Sequence, residues 1–206
     1  MTQRFSIHPE NPQRRLIQRA VEILRGDGLI VYPTDSSYAF GWHIGNHEAA
    51  ARLQRIRQTG KDHNFTLVCR DLSEIATYAK VENWCYRLLR AHTPGPYTFI
   101  LKATREVPRR LQNPKRQTIG IRVPDHPVPL ALVEALGEPL MSSTLLLPGN
   151  DLPFSDPDEI AEALAGRIEL LIDSGGCGLE PTTVVDLTGG YPEVLRQGRG
   201  DATVFA

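Results

Sequence analysis

The sequence predicts one α/β domain, built on a twisted, open, mixed sheet with helices packed on its outer face. Segments with helical periodicity alternate with short apolar segments typical of strands. Some strands are joined by short connections and others by helices, which indicates both antiparallel and parallel pairs. The 206 residues contain no internal repeat and no long Pro/Gly-rich linker. We therefore expect a single domain spanning residues 1–206.

The order of elements follows from apolar periodicity and from the residues that begin or end each segment. A first helix is predicted from Asn11-Pro12 to Gly26, because Asn and Pro are common at helix starts and Gly at helix ends. The other predicted helices are 47–58, two segments that end near Thr93, 127–137, and 156–166 with Asp156 as N-cap. The predicted strands are 29–32, 65–69, 97–103, 118–123, 140–144, 168–173, 182–187 and 193–197.

Composition excludes several protein classes. The three cysteines are widely spaced and form no CxxC pair, so neither a disulfide framework nor a zinc site is expected. The N-terminus lacks the apolar segment of a signal peptide, and no apolar run approaches the ~18 residues of a membrane helix. We expect a cytoplasmic protein that has no membrane partner and is monomeric.

Charge is unevenly distributed although the net charge is only −1. Residues 103–122 contain six basic residues and one acid, whereas residues 151–186 contain nine acids and one base. Two solvated faces would explain this pattern. The alternative is a positive surface that binds a polyanion such as RNA. The candidates for RNA binding are Arg109, Arg110, Lys115 and Arg116.

Three segments carry polar groups where a ligand could bind. The strand at 29–32 breaks at Pro33 into Thr34 and Asp35, which is either an ordinary turn or a loop at the carboxyl end of a strand, where α/β sheets bind ligands. Arg57 lies beside the apolar stripe of its helix, where it needs a carboxylate or a bound anion. In TIGIRV (118–123), Thr118, Gly120 and Arg122 share one face, which is poor core but a suitable floor for an anionic ligand.

The segment MSSTLLLPG (141–149) combines core and site. Strand alternation places Ser142, Thr144 and Leu146 on one face, and Ser143, Leu145 and Leu147 on the other. Leu145 and Leu147 are then core residues, and the hydroxyls of Ser142 and Thr144 point into the pocket. Leu146 is apolar on the polar face. It is either turned away by the turn that follows or forms an apolar wall.

Known catalytic motifs are absent from the sequence. It contains no Walker P-loop, GxGxxG or HExxH, no Ser-His-Asp order with recognisable surroundings, and no ligand spacing among the histidines. A ligand would therefore be bound by hydroxyls, arginines and backbone groups.

Taken together, these segments resemble the YrdC-domain family, and within it the YciO branch. The resemblance runs from about Asn11 to Arg199. It implies the YrdC/RibB-like sheet with a deep, concave basic surface. Its marks are VYPTDSSYAFG, RIRQ, NFTLV, TPGPYTFIL, IGIRVPDHP, MSSTLLLPG and PTTVVDLTGGYPEVLRQG.

The best known members of this family are threonylcarbamoyl-AMP synthases, which use L-threonine, bicarbonate and ATP in the pathway to t6A on tRNA. The resemblance implies ATP as substrate, Mg²⁺ brought with ATP, and no metal held by the protein. No catalytic nucleophile is implied, since Arg57 and Arg122 would position the reactants. The threonine-binding residues would be Thr34, Arg122, Ser142 and Thr182. The nucleotide-binding residues would be Arg55, Arg57, Asn64, Thr118, Thr144 and Arg196.

Three positions depart from the synthase pattern. The family's KxR motif is Arg55-Ile56-Arg57 here, which replaces an ammonium group by a guanidinium. Cys69 stands where long-form synthases have a histidine. The family's SxN motif is Thr144-Leu145-Leu146, so that Leu146 replaces an amide that contacts the nucleotide.

Two functions from different classes remain open at this point. The first is an ATP-dependent threonylcarbamoyl-AMP synthase or a related adenylate-forming enzyme. The second is a protein that binds double-stranded RNA or tRNA on the same basic concave surface, with vestigial nucleotide chemistry. A relative that shares only the fold and binds another nucleotide is a third interpretation.

Overall fold

The computed structural model of the chain describes residues 1–58 and 64–206. These residues form one ten-stranded sheet and six α-helices. The strands are β1 (Gln3–Ser6), β2 (Ile30–Tyr32), β3 (Ala39–His43), β4 (Thr66–Val68), β5 (Tyr97–Lys102), β6 (Thr118–Arg122), β7 (Leu140–Thr144), β8 (Leu170–Asp173), β9 (Thr183–Asp186) and β10 (Glu193–Arg196). The helices are α1 (Arg14–Arg25), α2 (His47–Arg57), α3 (Leu72–Tyr78), α4 (Asn83–His92), α5 (Pro127–Leu136) and α6 (Pro157–Ala163).

The strands follow the order β1-β8-β2-β3-β7-β4-β6-β5-β9-β10 across the sheet. The pairs β1/β8, β2/β8, β4/β6 and β5/β9 are parallel, and the remaining neighbours are antiparallel. The predicted fold class, a mixed α/β sheet, is confirmed.

Helices cover the sheet through two apolar clusters. On the outer face, α2, α3, α4 and α6 pack with Leu53, Ile75 and Trp42 in one large cluster. On the inner face, α1 and α5 pack with Leu24 and Leu132 in a second cluster. Among the described residues, this second cluster contains none from β5, β6, β9 or β10. The two inner-face helices therefore cover only one half of that face. The sequence-based expectation placed helices on the outer face, and α1 and α5 on the inner face differ from it.

Two strands and one helix start differ from the sequence-based expectation. The edge strand β1 has one buried side chain, Phe5, and so has no apolar alternation to detect. The strand β3 has Gly41 at its centre, and glycine is uncommon inside strands, so the sequence did not indicate a strand there. Glycine is needed at this position because a Cβ would lie 2.8 Å from the ring of Tyr32. The prediction that α1 starts at Asn11-Pro12 is wrong. The backbone N–H groups of Glu10 and Asn11 bond to the ring of His8, which holds a turn there.

Among the described residues, no helix is both long and apolar enough to cross a membrane.

The N-cap of α5 makes stability depend on pH. His126 Nδ1 accepts a hydrogen bond of 3.1 Å from Val128 N, which only an unprotonated nitrogen can do. Burial lowers the pKa of His126 below its usual 6.5, although Asp35 and Asp125 act in the opposite direction. Because the folded-state pKa is depressed, the stabilisation is complete above pH 6.5 and is lost as the pH falls through the folded-state pKa.

We predict that the free energy of unfolding decreases between pH 7.5 and pH 5.5 by up to about 1.4 kcal/mol, the most that one group with an unfolded-state pKa of 6.5 can contribute over this range. Urea denaturation at several pH values measures this. In the His126→Asn variant the cap is kept without a titratable ring, so the decrease should be smaller by that amount. An equal decrease in both proteins would contradict the assignment.

Candidate functional site

A cavity of about 510 Å³ opens on the half of the inner face that α1 and α5 leave uncovered. Its walls come from strands β4, β5, β6, β7, β9 and β10 and from the loop that follows β2. The cavity is thus built on neighbouring strands of one sheet, which hold its lining groups at fixed spacing.

Gly120 forms the floor of the cavity. It lies at the centre of β6, paired with Thr66 of β4 on one side and with Ile100 of β5 on the other. A Cβ at this position would lie 3.2 Å from both Thr66 Oγ1 and Thr98 Cγ2. The absent side chain therefore lets a ligand approach the main chain of the sheet.

Arg122 and Asp35 form a buried ion pair at one end of the cavity. Their side chains are only 8% and 10% exposed. Arg122 Nη2 contacts Asp35 Oδ1, Arg122 Nη1 donates to Ser36 Oγ at 3.3 Å, and Asp35 Oδ2 accepts from Asp125 N at 2.9 Å. Arg122 Nε is buried and has no partner among the described residues. The pair is balanced in charge, and its bonds to Ser36 Oγ and Asp125 N fix its position at this end of the cavity.

The loop after β2 is folded around the hydroxyl of Thr34. This oxygen donates to Ser37 O at 2.7 Å and accepts from Ser36 N and Ser37 N at 3.1 and 3.2 Å. The hydroxyl is therefore already used inside the loop. Thr34 shapes this end of the cavity and holds Ser36 beside Arg122, rather than presenting a free hydroxyl.

Other hydroxyls at the same end are also paired with each other. Ser142 Oγ donates to Phe40 O at 3.0 Å and lies 2.7 Å from the hydroxyl of Tyr32, which is buried. Burial raises the pKa of Tyr32 to about 12, so the phenol stays protonated and donates to Ser142. Thr98 Oγ1 and Thr182 Oγ1 lie 2.7 Å apart. Each pair keeps acceptor or donor capacity for one further partner.

Arg57 reaches the other end of the cavity from the last turn of α2. Its Nε donates to Leu146 O at 3.1 Å, and its Nη1 contacts Ser143 Oγ. Burial lowers the pKa of Arg57. Sequence alternation placed Ser143 on the core side of β7, and α2 packs on that side. The guanidinium of Arg57 extends past the end of the strand, however, and both Arg57 and Ser143 line the cavity. Leu145 and Leu147 are core residues, as predicted.

Leu146 lines the cavity. Its N–H bonds to Thr144 O at 2.9 Å, a tight turn that ends the regular alternation of β7. Of the two alternatives open from the sequence, the apolar wall is the one that the structure shows.

Arg196 forms a third arginine position, at the end of β10. Its Nη2 and Nε donate to Thr182 O at 2.8 and 3.3 Å. Partial burial lowers the pKa of this guanidinium. The acceptor is a neutral carbonyl, and none of the described carboxylates is bonded to Arg196. Its positive charge is therefore not balanced by a neighbouring negative charge.

Asn64, Asn113 and Arg116 form one side of the cavity mouth. Asn113 Nδ2 donates to Asn64 Oδ1 at 3.2 Å, and Asn113 Oδ1 accepts from Arg116 N at 3.0 Å. Arg116 Nη2 contacts Asp186 Oδ2 at 2.7 Å. Arg116, one of the four RNA-binding candidates, is thus part of the cavity.

Nine of the ten predicted threonine- and nucleotide-binding residues line this one cavity: Thr34, Arg57, Asn64, Thr118, Arg122, Ser142, Thr144, Thr182 and Arg196. The exception is Arg55, which is exposed on α2 outside the lining. Arg109, Arg110 and Lys115 are exposed and also lie outside it.

Sequence reasoning missed the role of Asp35 as the partner of Arg122, and it missed Thr66, Thr98 and Asn113. The only signal for Asp35 was an acid next to the end of a buried strand, and its partner is 87 residues away.

The charged residues that line the cavity are Arg57, Arg116, Arg122, Arg196 and Asp151. Asp35 compensates Arg122 and Asp186 compensates Arg116, whereas Arg196 donates to a neutral carbonyl, which favours a positive potential there. No group of three or more His, Cys, Asp or Glu that could hold a metal ion occurs in residues 1–58 or 64–206. The arrangement can bind an anion at one end and a polar, uncharged or zwitterionic group at the other.

Comparison with known proteins places the chain in a family. A family model with the description Telomere recombination, the Sua5/YciO/YrdC family, matches residues 22–198. The match covers most of the chain, and the protein therefore belongs to this family.

Two proteins of Escherichia coli K12 are similar over nearly the whole chain. The YciO protein is 56% identical over 205 residues, which is 100% of both chains. The crystal structure of E. coli YciO has a TM-score of 0.96 at 55% identity and also covers 100% of both chains. Threonylcarbamoyl-AMP synthase is 29% identical over 192 residues, 91% of this chain and 98% of the synthase.

A solved structure with a bound ligand is also similar. P. abyssi Sua5 complexed with L-threonine has a TM-score of 0.87 at 26% identity, over 96% of this chain and 58% of that chain. The family and the fold are thus shared with proteins that have synthase activity or bind threonine.

The buried ion pair gives a stability prediction. In Asp35→Ala the guanidinium of Arg122 stays buried without its carboxylate, so we expect the free energy of unfolding to fall by about 3–5 kcal/mol. Asp158→Ala is the matched control, because Asp158 is 83% exposed in its pair with Arg4 and should cost less than about 1 kcal/mol.

Replacing both charges, in Asp35→Leu with Arg122→Met, should recover much of the loss. Urea denaturation of the wild type, the two aspartate variants and the double variant measures the change in the free energy of unfolding for each variant. Equal costs for the two aspartate variants would show that the Asp35 pair is not effectively buried.

Proposed function

We propose that the protein is an enzyme of the nucleotidyltransferase type that forms threonylcarbamoyl-AMP from L-threonine, bicarbonate and ATP. The observation that carries this proposal is the shape of the cavity. Around the Gly120 floor the cavity brings together the buried Arg122–Asp35 pair, several hydroxyls, and the guanidinium of Arg196, whose acceptor is the neutral carbonyl of Thr182. Such a cavity fits an amino acid and a nucleotide side by side. The homology to threonylcarbamoyl-AMP synthase and to a Sua5 with bound L-threonine supports the same assignment.

The reaction needs positioning more than a protein nucleophile. The amine of threonine adds CO2 derived from bicarbonate, which forms a carbamate and releases a proton. A carbamate oxygen then attacks the α-phosphorus of ATP, and the bond to pyrophosphate breaks. The protein must hold two anions in line and stabilise the charge on the leaving group.

In this proposal, residues of the cavity position the two anions and stabilise the leaving group. The carboxylate of threonine binds on the side of the cavity that contains Arg122, near the Thr98–Thr182 hydroxyl pair. Arg57, Arg196, Asn64, Thr118 and Thr144 lie along the nucleotide, and Mg²⁺ enters with ATP.

The departures from the synthase pattern have structural consequences. Cys69 is fully buried in the outer-face cluster and lies outside the cavity lining, so it does not replace the donor of a histidine there. Leu146 lines the cavity, where synthases place an amide. These changes remove one polar contact on the amino-acid side and one on the nucleotide side, while the Arg122–Asp35 pair is kept. We therefore expect activity that is slow relative to a synthase with the complete motifs.

The RNA-binding alternative has no support from the comparisons. Of its candidate residues, Arg116 is bound to Asp186 and belongs to the cavity.

The proposal predicts pyrophosphate release that requires ATP, Mg²⁺, L-threonine and bicarbonate together. In Arg57→Ala we expect kcat/KM to fall about ten- to hundred-fold, because hydrogen bonds from a charged group contribute about 1.5–3 kcal/mol. Arg87→Ala, which removes an exposed arginine of α4, is the matched control and should keep the wild-type rate. Release that is independent of threonine and bicarbonate, or equal in the two variants, would refute the proposal for these substrates.

A second prediction concerns Leu146. Restoring an amide in Leu146→Asn adds a donor and acceptor on the nucleotide side of the cavity. A net hydrogen-bond contribution of about 0.5–3 kcal/mol corresponds to roughly two- to hundred-fold tighter ATP binding. Calorimetric titration of ATP measures this change.

Leu146→Ala is the control, since it enlarges the cavity without adding an amide. If Asn and Ala bind ATP equally, or if Asn binds more weakly than the wild type in a folded protein, the amide does not contact the nucleotide.

A further inference from the structure

The mouth of the cavity contains a guanidinium that a buried carboxylate holds in place. The Arg116 side chain is 51% exposed, whereas that of Asp186, its partner, is only 5% exposed. Arg116 Nη2 contacts Asp186 Oδ2 at 2.7 Å and Thr188 Oγ1 at 2.7 Å. Both contacts use a single nitrogen of the guanidinium, so Nη1 and Nε have no partner among the described residues.

Asp186 remains ionised in this position. Desolvation raises its pKa, but hydrogen bonds from the hydroxyl and N–H of Thr188 and from Arg116 outweigh it, and the net pKa lies below the ordinary value. Thr188 N and Thr188 Oγ1 donate to Asp186 Oδ1 at 2.8 and 2.6 Å, which leaves Oδ2 for Arg116. The carboxylate is therefore fixed by its own turn, independently of the arginine.

The backbone of Arg116 is also fixed. Asn113 Oδ1 accepts from Lys115 N and Arg116 N, and Gln117 N bonds to Asn113 O at 2.8 Å. Gln117 has a φ of +53° and leads directly into β6. This closed turn places Arg116 on the cavity wall, two residues before Thr118 of the floor.

Because Asp186 is buried, Arg116 stabilises it through Nη2, but this role leaves Nη1 and Nε of the half-exposed guanidinium unused. Anchoring does reduce the entropy that a long side chain loses on binding a ligand. A guanidinium with two free donors suits phosphate oxygens. The side chain lies in the same cavity as Arg57 and Arg196.

We propose that Arg116, oriented by Asp186 and Thr188, is a polyphosphate-binding residue that holds the β- and γ-phosphates of a nucleoside triphosphate at the cavity mouth. Asp186 acts through Arg116 and is a positioning residue. The identification of the ligand as a nucleoside triphosphate rests on the proposed function. The capacity to bind a polyphosphate does not require threonine or bicarbonate.

The test is calorimetric titration of three probes with Mg²⁺: ATP, AMP and inorganic tripolyphosphate. In Arg116→Ala, binding of ATP and tripolyphosphate should weaken about ten- to hundred-fold, because a charge-assisted contact is lost. AMP binding should stay unchanged. Arg105→Ala, which removes an exposed arginine outside the cavity lining of the same basic segment, is the control for net charge and should leave all three probes unaffected.

Asp186→Asn keeps the shape of the side chain but weakens the anchor. It should weaken ATP and tripolyphosphate binding by less than Arg116→Ala, and adding it to Arg116→Ala should change little further. Arg116→Lys should restore part of the affinity, since it keeps the charge without the planar donors. If Asp186 has a purely structural role, Asp186→Asn should lower thermal stability but should not weaken ATP and tripolyphosphate binding more than AMP binding.

The outcomes also separate this proposal from the synthase proposal. Tripolyphosphate binding that depends on Arg116, without threonine-dependent pyrophosphate release, would support the residue assignment and refute the synthase. The assignment is overturned if Arg116→Ala behaves like Arg105→Ala or weakens AMP equally. It is also overturned if the wild type binds neither ATP nor tripolyphosphate, or if Arg116→Ala weakens binding of an RNA hairpin alone.

Discussion

The ion pair between Arg122 and Asp35 connects parts of the sheet that are not neighbours. Arg122 ends β6 and Asp35 follows β2, and the strands β3, β7 and β4 lie between them. A buried charge without a partner is costly, so each residue fixes the position of the other. Asp35 also accepts from Asp125 N, one residue before His126, the N-cap of α5. One carboxylate thereby sets the loop of Thr34, the orientation of Arg122 and the start of a helix.

The cavity contains two kinds of arginine, and their partners decide what each can bind. Arg122 and Arg116 are paired with carboxylates, which fix the guanidinium and balance its charge. Arg196 donates to the backbone carbonyl of Thr182, which is a neutral acceptor, so this bond does not balance its charge. The charge of Arg196 can therefore act on an anionic ligand more strongly than the charges of Arg116 and Arg122, which are shared with carboxylates.

Local patterns in the sequence predict the floor of the site well. Alternation alone places Thr118, Gly120 and Arg122 on one face, because a strand has a strict period of two. It fails where the chain leaves the strand. Ser143 lies beside Arg57 because the long side chain of Arg57 reaches past the end of β7. Neither the helical period of α2 nor the strand period of β7 predicts that contact. The partners of Arg122 and Arg116 are 87 and 70 residues away in sequence, so their pairing depends on strand order rather than on local pattern.

Two departures from the synthase motifs, at Leu146 and Arg55, lie outside the strands of the sheet. Gly120 and Thr182 lie on or beside strands whose register is fixed by neighbours on both sides. A bulky residue at Gly120 would press on Thr66 and Thr98. Leu146 lies beyond the end of its strand, and Arg55 is exposed on a helix, so neither is constrained by the sheet. Polar contacts to a nucleotide can therefore change at such strand-end and helix positions while the floor and the fold stay the same. For this reason the shared fold supports a common cavity, whereas residues at strand ends and on exposed helix faces can differ between relatives that share it.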